Sequence, residues 1–143
     1  MLGSLLYVSQ SALSSLHERS QIDEILSVAR SRNRQLRVTG ALVFTQARFA
    51  QVLEGPKASI DKLMASIVRD DRHRDVEVVL TEDLPRRRFP GWSLAYSGSS
   101  MYVDRHIKPL LQHEMSPADV HERACKLLDI MMNLCTAVPV SST

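Results

Sequence analysis

Between Leu5 and Tyr96, short apolar runs alternate with segments whose apolar residues recur every three or four positions, and this alternation limits the fold more than any other feature. A period of two belongs to strands and one near 3.6 to helices, so the order of the periods is the order of the elements. Leu5-Leu6-Tyr7-Val8 suits a buried strand. Ser20 and Asp23 resemble a capping box, and Ile22, Ile25, Leu26 and Ala29 behind them predict a first helix over roughly 20–34. Val38–Thr45 and Arg48–Glu54 read as strands joined at Gln46-Ala47, a hairpin without the Asn-Gly or Asp-Gly of the commonest tight turns. Gly55-Pro56 ends the second strand and puts Pro56 in the first turn of a helix with Ile60, Leu63, Met64, Ile67 and Val68 as its apolar face. Arg69–Asp75 predicts a polar loop and Val76–Thr81 a strand. Pro85 and Pro90 bracket the basic run Arg86-Arg87-Arg88, and Trp92–Tyr96 predicts a last strand.

The order β-α-β-β-α-β-β holds two β-α-β units around a central hairpin. It predicts an α+β, ferredoxin-like sandwich with helices on one face of the sheet and one added strand. In such a sheet the first and third strands are neighbours, which brings Tyr7 near Gln51. After Tyr96 the pattern becomes helical, with a short helix expected over Asp104–Gln112 and a longer one opening at Ser116-Pro117-Ala118-Asp119. Val120, Ala124, Leu127, Leu128, Met131 and Cys135 form one apolar stripe, which must cover the bare face of the sheet or another subunit. The expected division is a domain over 1–97 and a helical extension over 98–143 that serves as cap or interface rather than folding alone.

At 143 residues the chain has room for one compact domain. No apolar run approaches the ~20 residues that cross a bilayer, and the N-terminus lacks the basic region and cleavage site of a signal peptide. The expectation is a cytoplasmic protein with no membrane partner. A net charge of +2 argues neither for nor against an acidic partner, and the arginine run without interleaved aromatics is a weak signal, so no nucleic-acid partner is expected. Cys125 and Cys135 would lie about 15 Å apart along one helix, too far to bridge, and read as core or interface fillers.

Catalytic and metal arrangements fall short. The five histidines form no metal-spaced cluster, and Gly40, Gly55, Gly91 and Gly98 are isolated rather than grouped in a phosphate loop. An acylphosphatase-like enzyme on this fold needs an arginine-bearing loop after the first strand, and Ser9–Ser15 contains neither arginine nor glycine. What stands out is polar residues inside apolar strands: Gln51 within Phe49-Ala50-Gln51-Val52-Leu53, and Tyr7 after Leu5-Leu6. Two readings are open. Either Gln51 faces solvent and Tyr7 packs its ring in the core, or both face inward. In the second case each needs a hydrogen-bond partner, because burying an unpaired amide or hydroxyl costs ~1–3 kcal/mol.

These residues resemble the BLUF family, blue-light sensors that use FAD, from about Leu5 to Tyr96. The matching features are Tyr7 in the first strand, Asn33 at the end of the first helix and the Thr-Gly step Val38-Thr39-Gly40-Ala41-Leu42. Three more follow in order: Phe49-Ala50-Gln51-Val52-Leu53-Glu54-Gly55, the segment Arg69-Asp70-Asp71-Arg72-His73, and Arg87-Arg88-Phe89-Pro90-Gly91-Trp92-Ser93-Leu94.

The resemblance implies a flavin, FAD with FMN as the alternative, whose ring lies between the two helices edge-on to Tyr7 and Gln51. It implies that Asn33 holds the O4/N3 edge, that Asp70, Arg72 and His73 face the ribityl-phosphate end, and that Ile25 and Phe49 are apolar wall. Leu94 stands where the family has methionine, which puts the output route in question, and Trp92 belongs to the same strand. Arg32, where asparagine or histidine is more usual, would donate to flavin O2 or else be a solvated arginine. The implied function is a photoreceptor rather than an enzyme, with a Tyr7–Gln51 hydrogen-bond switch read through the fifth strand and C-terminal helices by an unidentified downstream protein. Homo-oligomers are expected, as in similar short members. The competing reading is an interaction module of the same fold with weak or no light output.

Overall fold

Runs rich in Val, Leu and Phe form the strands of this computed structural model, which describes residues 1–13, 18–91, 95–97 and 101–136. In chain order the elements are β1 (Leu2–Ser11), α1 (Glu18–Leu36), β2 (Thr39–Phe44), β3 (Arg48–Gly55), α2 (Lys57–Arg69), β4 (His73–Leu84), β5 (Ala95–Ser97), α3 (Met101–Ile107) and α4 (Pro117–Thr136), with a 3₁₀ turn at Lys108–Leu111 between the last two. The sheet order is β4-β1-β3-β2-β5, with β1, β2, β3 and β4 joined antiparallel and β5 parallel to β2. This is the ferredoxin-like arrangement with one added strand.

The sheet has two faces because successive side chains alternate. Leu42, Phe44 and Phe49 meet Ile22 and Leu26 of α1, and Leu53 meets Ile60 and Leu63 of α2. The alternate residues Leu6, Val8, Ala41, Val43, Ala50 and Val52 meet Val103, Ile107, Leu127 and Met131 of the C-terminal helices. The stripe on α4 thus covers its own sheet, and it offers no bare apolar face to a second copy. Cys135 is packed there, and burial pushes its thiol up to about 12.

Two local devices set the frame of the site. At Gly40 a Cβ would stand 1.9 Å from the Val52 carbonyl oxygen, so only glycine lets β2 approach β3 this closely. The second device ends α1: Val38 N donates to Asn33 O at 2.8 Å and Arg37 N to Arg34 O at 3.2 Å, with Arg37 left-handed at φ 59°. This is a Schellman cap with arginine in the place glycine usually takes. It fixes the last turn of α1 against β2, and with it Asn33.

Several expectations are corrected. α1 starts at Glu18, so Ser20 lies within the helix rather than capping it. Pro56 precedes α2 as its N-cap residue. The loop expected over Arg69–Asp75 shrinks to three residues, because β4 begins at His73 and runs to Leu84, well past Val76–Thr81 at both ends. Nine of its residues pair with β1, and Asp75 takes a positive φ of 54°, which lets a polar segment enter the ladder irregularly. The short helix expected over Asp104–Gln112 becomes α3 plus the 3₁₀ turn, broken where Pro109 cannot donate. Of the strand expected over Trp92–Tyr96, Ala95–Ser97 is β5, while Trp92 and Leu94 lie outside the described residues.

The basic run has an internal role. Arg87 donates to Thr39 Oγ1, Glu54 O and Arg37 O at 2.8–3.0 Å, and Arg88 pairs with Glu82 at 2.7 Å. Glu54, fully buried, accepts from Thr39 Oγ1, from Arg88 N and, at 2.6 Å, from Phe89 N. The glutamate of the strand motif therefore pins the segment that leads toward β5. Among the described residues no helix is long and apolar enough to cross a membrane.

Candidate functional site

Tyr7 and Gln51 are direct register partners on β1 and β3, the two central strands. Both point to the helix-covered side. Tyr7 is fully buried and Gln51 is 6% exposed, and the Tyr7 hydroxyl donates to Gln51 Oε1. The inward reading is thus the correct one for both. Tyr7 engages the carbonyl end of the amide, which leaves the NH₂ end, with its two donors, for a partner within the cavity.

That cavity lies between α1 and α2. Ile25, Val28, Ala29, Arg32 and Asn33 line it from α1, Leu63 and Ile67 from α2, Tyr7, Leu42, Phe49, Gln51 and Leu53 from the sheet, and Asp70, Arg72 and His73 from the α2–β4 connection and the start of β4. All nine residues singled out as cofactor contacts therefore share one space. Asn33 is 1% exposed, whereas Arg32 is exposed at the mouth.

The polar end of the cavity is pre-set. Arg72 grips Asp70 with Nε at 3.0 Å and Nη2 at 2.8 Å, and its backbone N–H adds a third bond to the same carboxylate at 2.9 Å. The Arg72 side chain holds the Asp70 carboxyl below the usual range, and Asp70 in turn raises the Arg72 guanidinium. His73 packs its ring 4.5 Å from Phe49 and presents an edge contact to Tyr7 at 6.0 Å. Burial lowers its pKa to about 4, so the imidazole is neutral at pH 7. Burial also raises the Tyr7 phenol, and the nearby Asp70 charge adds to it, so Tyr7 keeps its proton.

One contact was not read from the sequence. Ser9, fully buried, lies 2.9 Å from His73 Nδ1. It stands two residues after Tyr7 on the same strand face, and strand parity would have found it. The apolar lining from Val28, Leu63 and Ile67 was also not singled out, because it looks like ordinary core.

A flat aromatic group with mixed donors and acceptors on its edge suits these walls: apolar faces from Ile25, Phe49, Leu63 and Ile67, and edge amides from Gln51 and Asn33. A positive charge is at hand at Arg32, at the mouth, while that of Arg72 is paired with Asp70. The space between these walls is about 70 Å³, below the several hundred of ordinary ligand pockets, so a larger group needs the walls to move apart. Among the described residues no three His, Cys, Asp or Glu side chains converge on a metal position.

The comparisons agree with this geometry. The family model described as "Sensors of blue-light using FAD" (BLUF) matches residues 2–95. The blue light- and temperature-regulated antirepressor BluF of Escherichia coli (strain K12) is 39% identical over 69 residues, which cover 48% of this chain and 17% of that protein. The photoactivated adenylate cyclase subunit beta of Euglena longa is 35% identical over 101 residues, 70% of this chain and 12% of that one. The chain thus spans under a fifth of the length of these two curated relatives. Among solved structures, the dark state of BlrB, a BLUF protein, superposes with a TM-score of 0.70 at 27% identity, covering 90% of this chain and 96% of that one. The photo-activated state of BlsA gives 0.74 at 21% identity, over 92% and 95%, and shares the fold. BLUF domains bind flavin, and in proteins such as the cyclases they sit beside an effector. By fold and by a match over two-thirds of its length, this chain belongs to the BLUF family of blue-light sensors.

Proposed function

We infer that this chain holds FAD between α1 and α2 and converts blue light into a reversal of the Gln51 amide. The observation that supports this is the Tyr7–Gln51 hydrogen bond inside a cavity walled by two helices. Asn33, fixed by the Schellman cap, has the amide that matches a carbonyl beside an N–H and would hold that edge of the ring. Ile25 and Phe49 form its walls. Asp70, Arg72 and His73 face its polar chain, and Arg32 reaches it from the mouth.

When bound, the flavin supplies the blue absorption and, once excited, an acceptor for one electron and one proton. Tyr7 is the donor of both. In the dark its buried, raised phenol keeps the proton at Oη and offers it to Gln51 Oε1. One end of an amide donates and the other accepts, so return of both the electron and the proton to Tyr7 after Gln51 has turned or changed tautomer would exchange which neighbour sees a donor. No bond to the protein is made or lost, and the output is a conformational change rather than a catalysed reaction. The cap over 98–143 passes that change to a separate protein, and because the α4 stripe is spent on the sheet, a partner docks on some other surface.

An absorption spectrum tests the reading. The purified chain is expected to be yellow and to show a reversible red shift of its blue band under blue light, because a changed hydrogen bond at the ring carbonyl moves the band. Gln51→Leu is expected to keep the flavin and lose the shift. A colourless chain that takes up no flavin, or a shift that persists in Gln51→Leu, defeats the assignment.

A further inference from the structure

The two ends of the β2–β3 turn meet a single carboxylate of the cap. Asp104, on α3, accepts from Thr45 Oγ1 at 2.7 Å with one oxygen and from Arg48 Nη1 at 2.7 Å with the other. The side chains of Arg48 and Asp104 are only 17% and 18% exposed, so this pair is not an ordinary solvated one. The hairpin residues are also tied to each other, Thr45 N to Arg48 O at 2.9 Å and Arg48 N to Thr45 Oγ1 at 3.1 Å. Phe44 and Phe49, their immediate chain neighbours, pack ring to ring at 4.8 Å, and Phe49 is cavity wall. The hairpin tip therefore carries the site on one side and the anchor of the cap on the other.

That anchor is incompletely made. Arg48 Nε is buried with no acceptor among the described residues, which proteins rarely tolerate. Asp104 touches one end of the guanidinium, whereas Arg72 meets Asp70 along its Nε–Nη2 edge, the stronger two-toothed geometry. The Thr45 hydroxyl meanwhile has a second acceptor at hand, Arg48 O at 3.3 Å. The same atoms thus define another arrangement, with Asp104 on the Nε–Nη2 edge and Thr45 turned to Arg48 O. Each arrangement satisfies a group that the other leaves short, which is the condition for a bistable element.

We propose that Thr45, Arg48 and Asp104 form a two-position latch through which the β2–β3 hairpin tip sets the seat of α3. The latch rests on the Gln51 switch argued above. Gln51 lies three residues along β3 from Arg48, and the latch turns a movement of that strand into a changed footing for the cap.

Hydrogen exchange of the flavin-loaded full chain, in the dark and under blue light, tests it at the amides of 101–107, with the visible spectrum recorded on the same samples. The unmodified chain is expected to show a light–dark difference there. Asp104→Asn keeps the shape and removes the charge. It is expected to retain the spectral shift and to reduce the exchange difference roughly fivefold or more. Thr45→Val, which frees one carboxylate oxygen, is expected to bring dark exchange to the illuminated level. With the spectral shift intact, an unreduced difference in Asp104→Asn, or unchanged dark exchange in Thr45→Val, overturns the latch and leaves the switch standing. An unmodified chain with no spectral shift overturns the switch and the latch together.

Discussion

Ala50 and Val52 of β3 face the C-terminal cap, while Phe49, Gln51 and Leu53, the residues between and beside them, face α1 and α2. On the cap side Ala124, Leu127, Leu128 and Met131 close over the sheet in one continuous apolar core. On the helix side the apolar packing splits into two clusters, one under each helix, and the gap between them holds Tyr7, Asn33, Gln51 and His73. The strands are the same and the backbone is the same. What differs is that one face spends its residues on stability and the other keeps polar groups buried beside a cavity, where they are available to a ligand.

Three measurements press on that difference. Leu127→Ala removes a fully buried side chain from the cap side and is expected to lower stability by about 2–5 kcal/mol in a denaturant titration while leaving flavin contacts alone. A cost below about 1 kcal/mol would mean that the cap is not firmly seated on the sheet.

The next effect is on the cavity side and depends on pH. His73 has a folded pKa of about 4 against 6.5 unfolded. Between those values the unfolded chain takes up a proton that the folded chain refuses. Stability is therefore full above about pH 6.5, falls as the pH drops toward 4, and levels off below. The loss from this group is on the order of 3 kcal/mol at most. His73→Gln should flatten the decline in that window, and an unchanged profile would show that His73 is solvated.

The smallest effect separates function from stability. Gln51→Leu leaves the Tyr7 hydroxyl buried without its acceptor and should cost ~1–3 kcal/mol. Adding Tyr7→Phe removes the stranded donor as well and should recover most of that loss. If the double variant is instead worse than the single one by the full cost of a second deletion, the pair stabilises the fold on its own account.

How far the sequence could be read differs between residues for physical reasons. The order of elements was legible because periods of two and of 3.6 are local properties, and the start of α4 at Ser116-Pro117 was legible because caps are local too. Which way Gln51 points was not, because β3 is buried on both faces from Phe49 to Gly55 and has no polar alternation to read. Only the resemblance to a known family favoured the inward side. The N-terminal reach of β4 is not legible in the sequence because His73, Arg74 and Asp75 look like loop residues, and it is the pairing of His73 and Arg74 with Ser11 and Gln10 of β1 that makes this segment strand.

The chain's own residues therefore determined the elements, their order and the side-chain types at the site. Such choices depend on backbone preferences and apolar spacing within a few residues of one another. The tertiary structure decided which face each strand turns to which helices, that the α4 stripe closes on its own sheet, and that His73 lies beside Phe49 and Ser9. These contacts join residues tens of positions apart, and their energies come from burial, which no local pattern records.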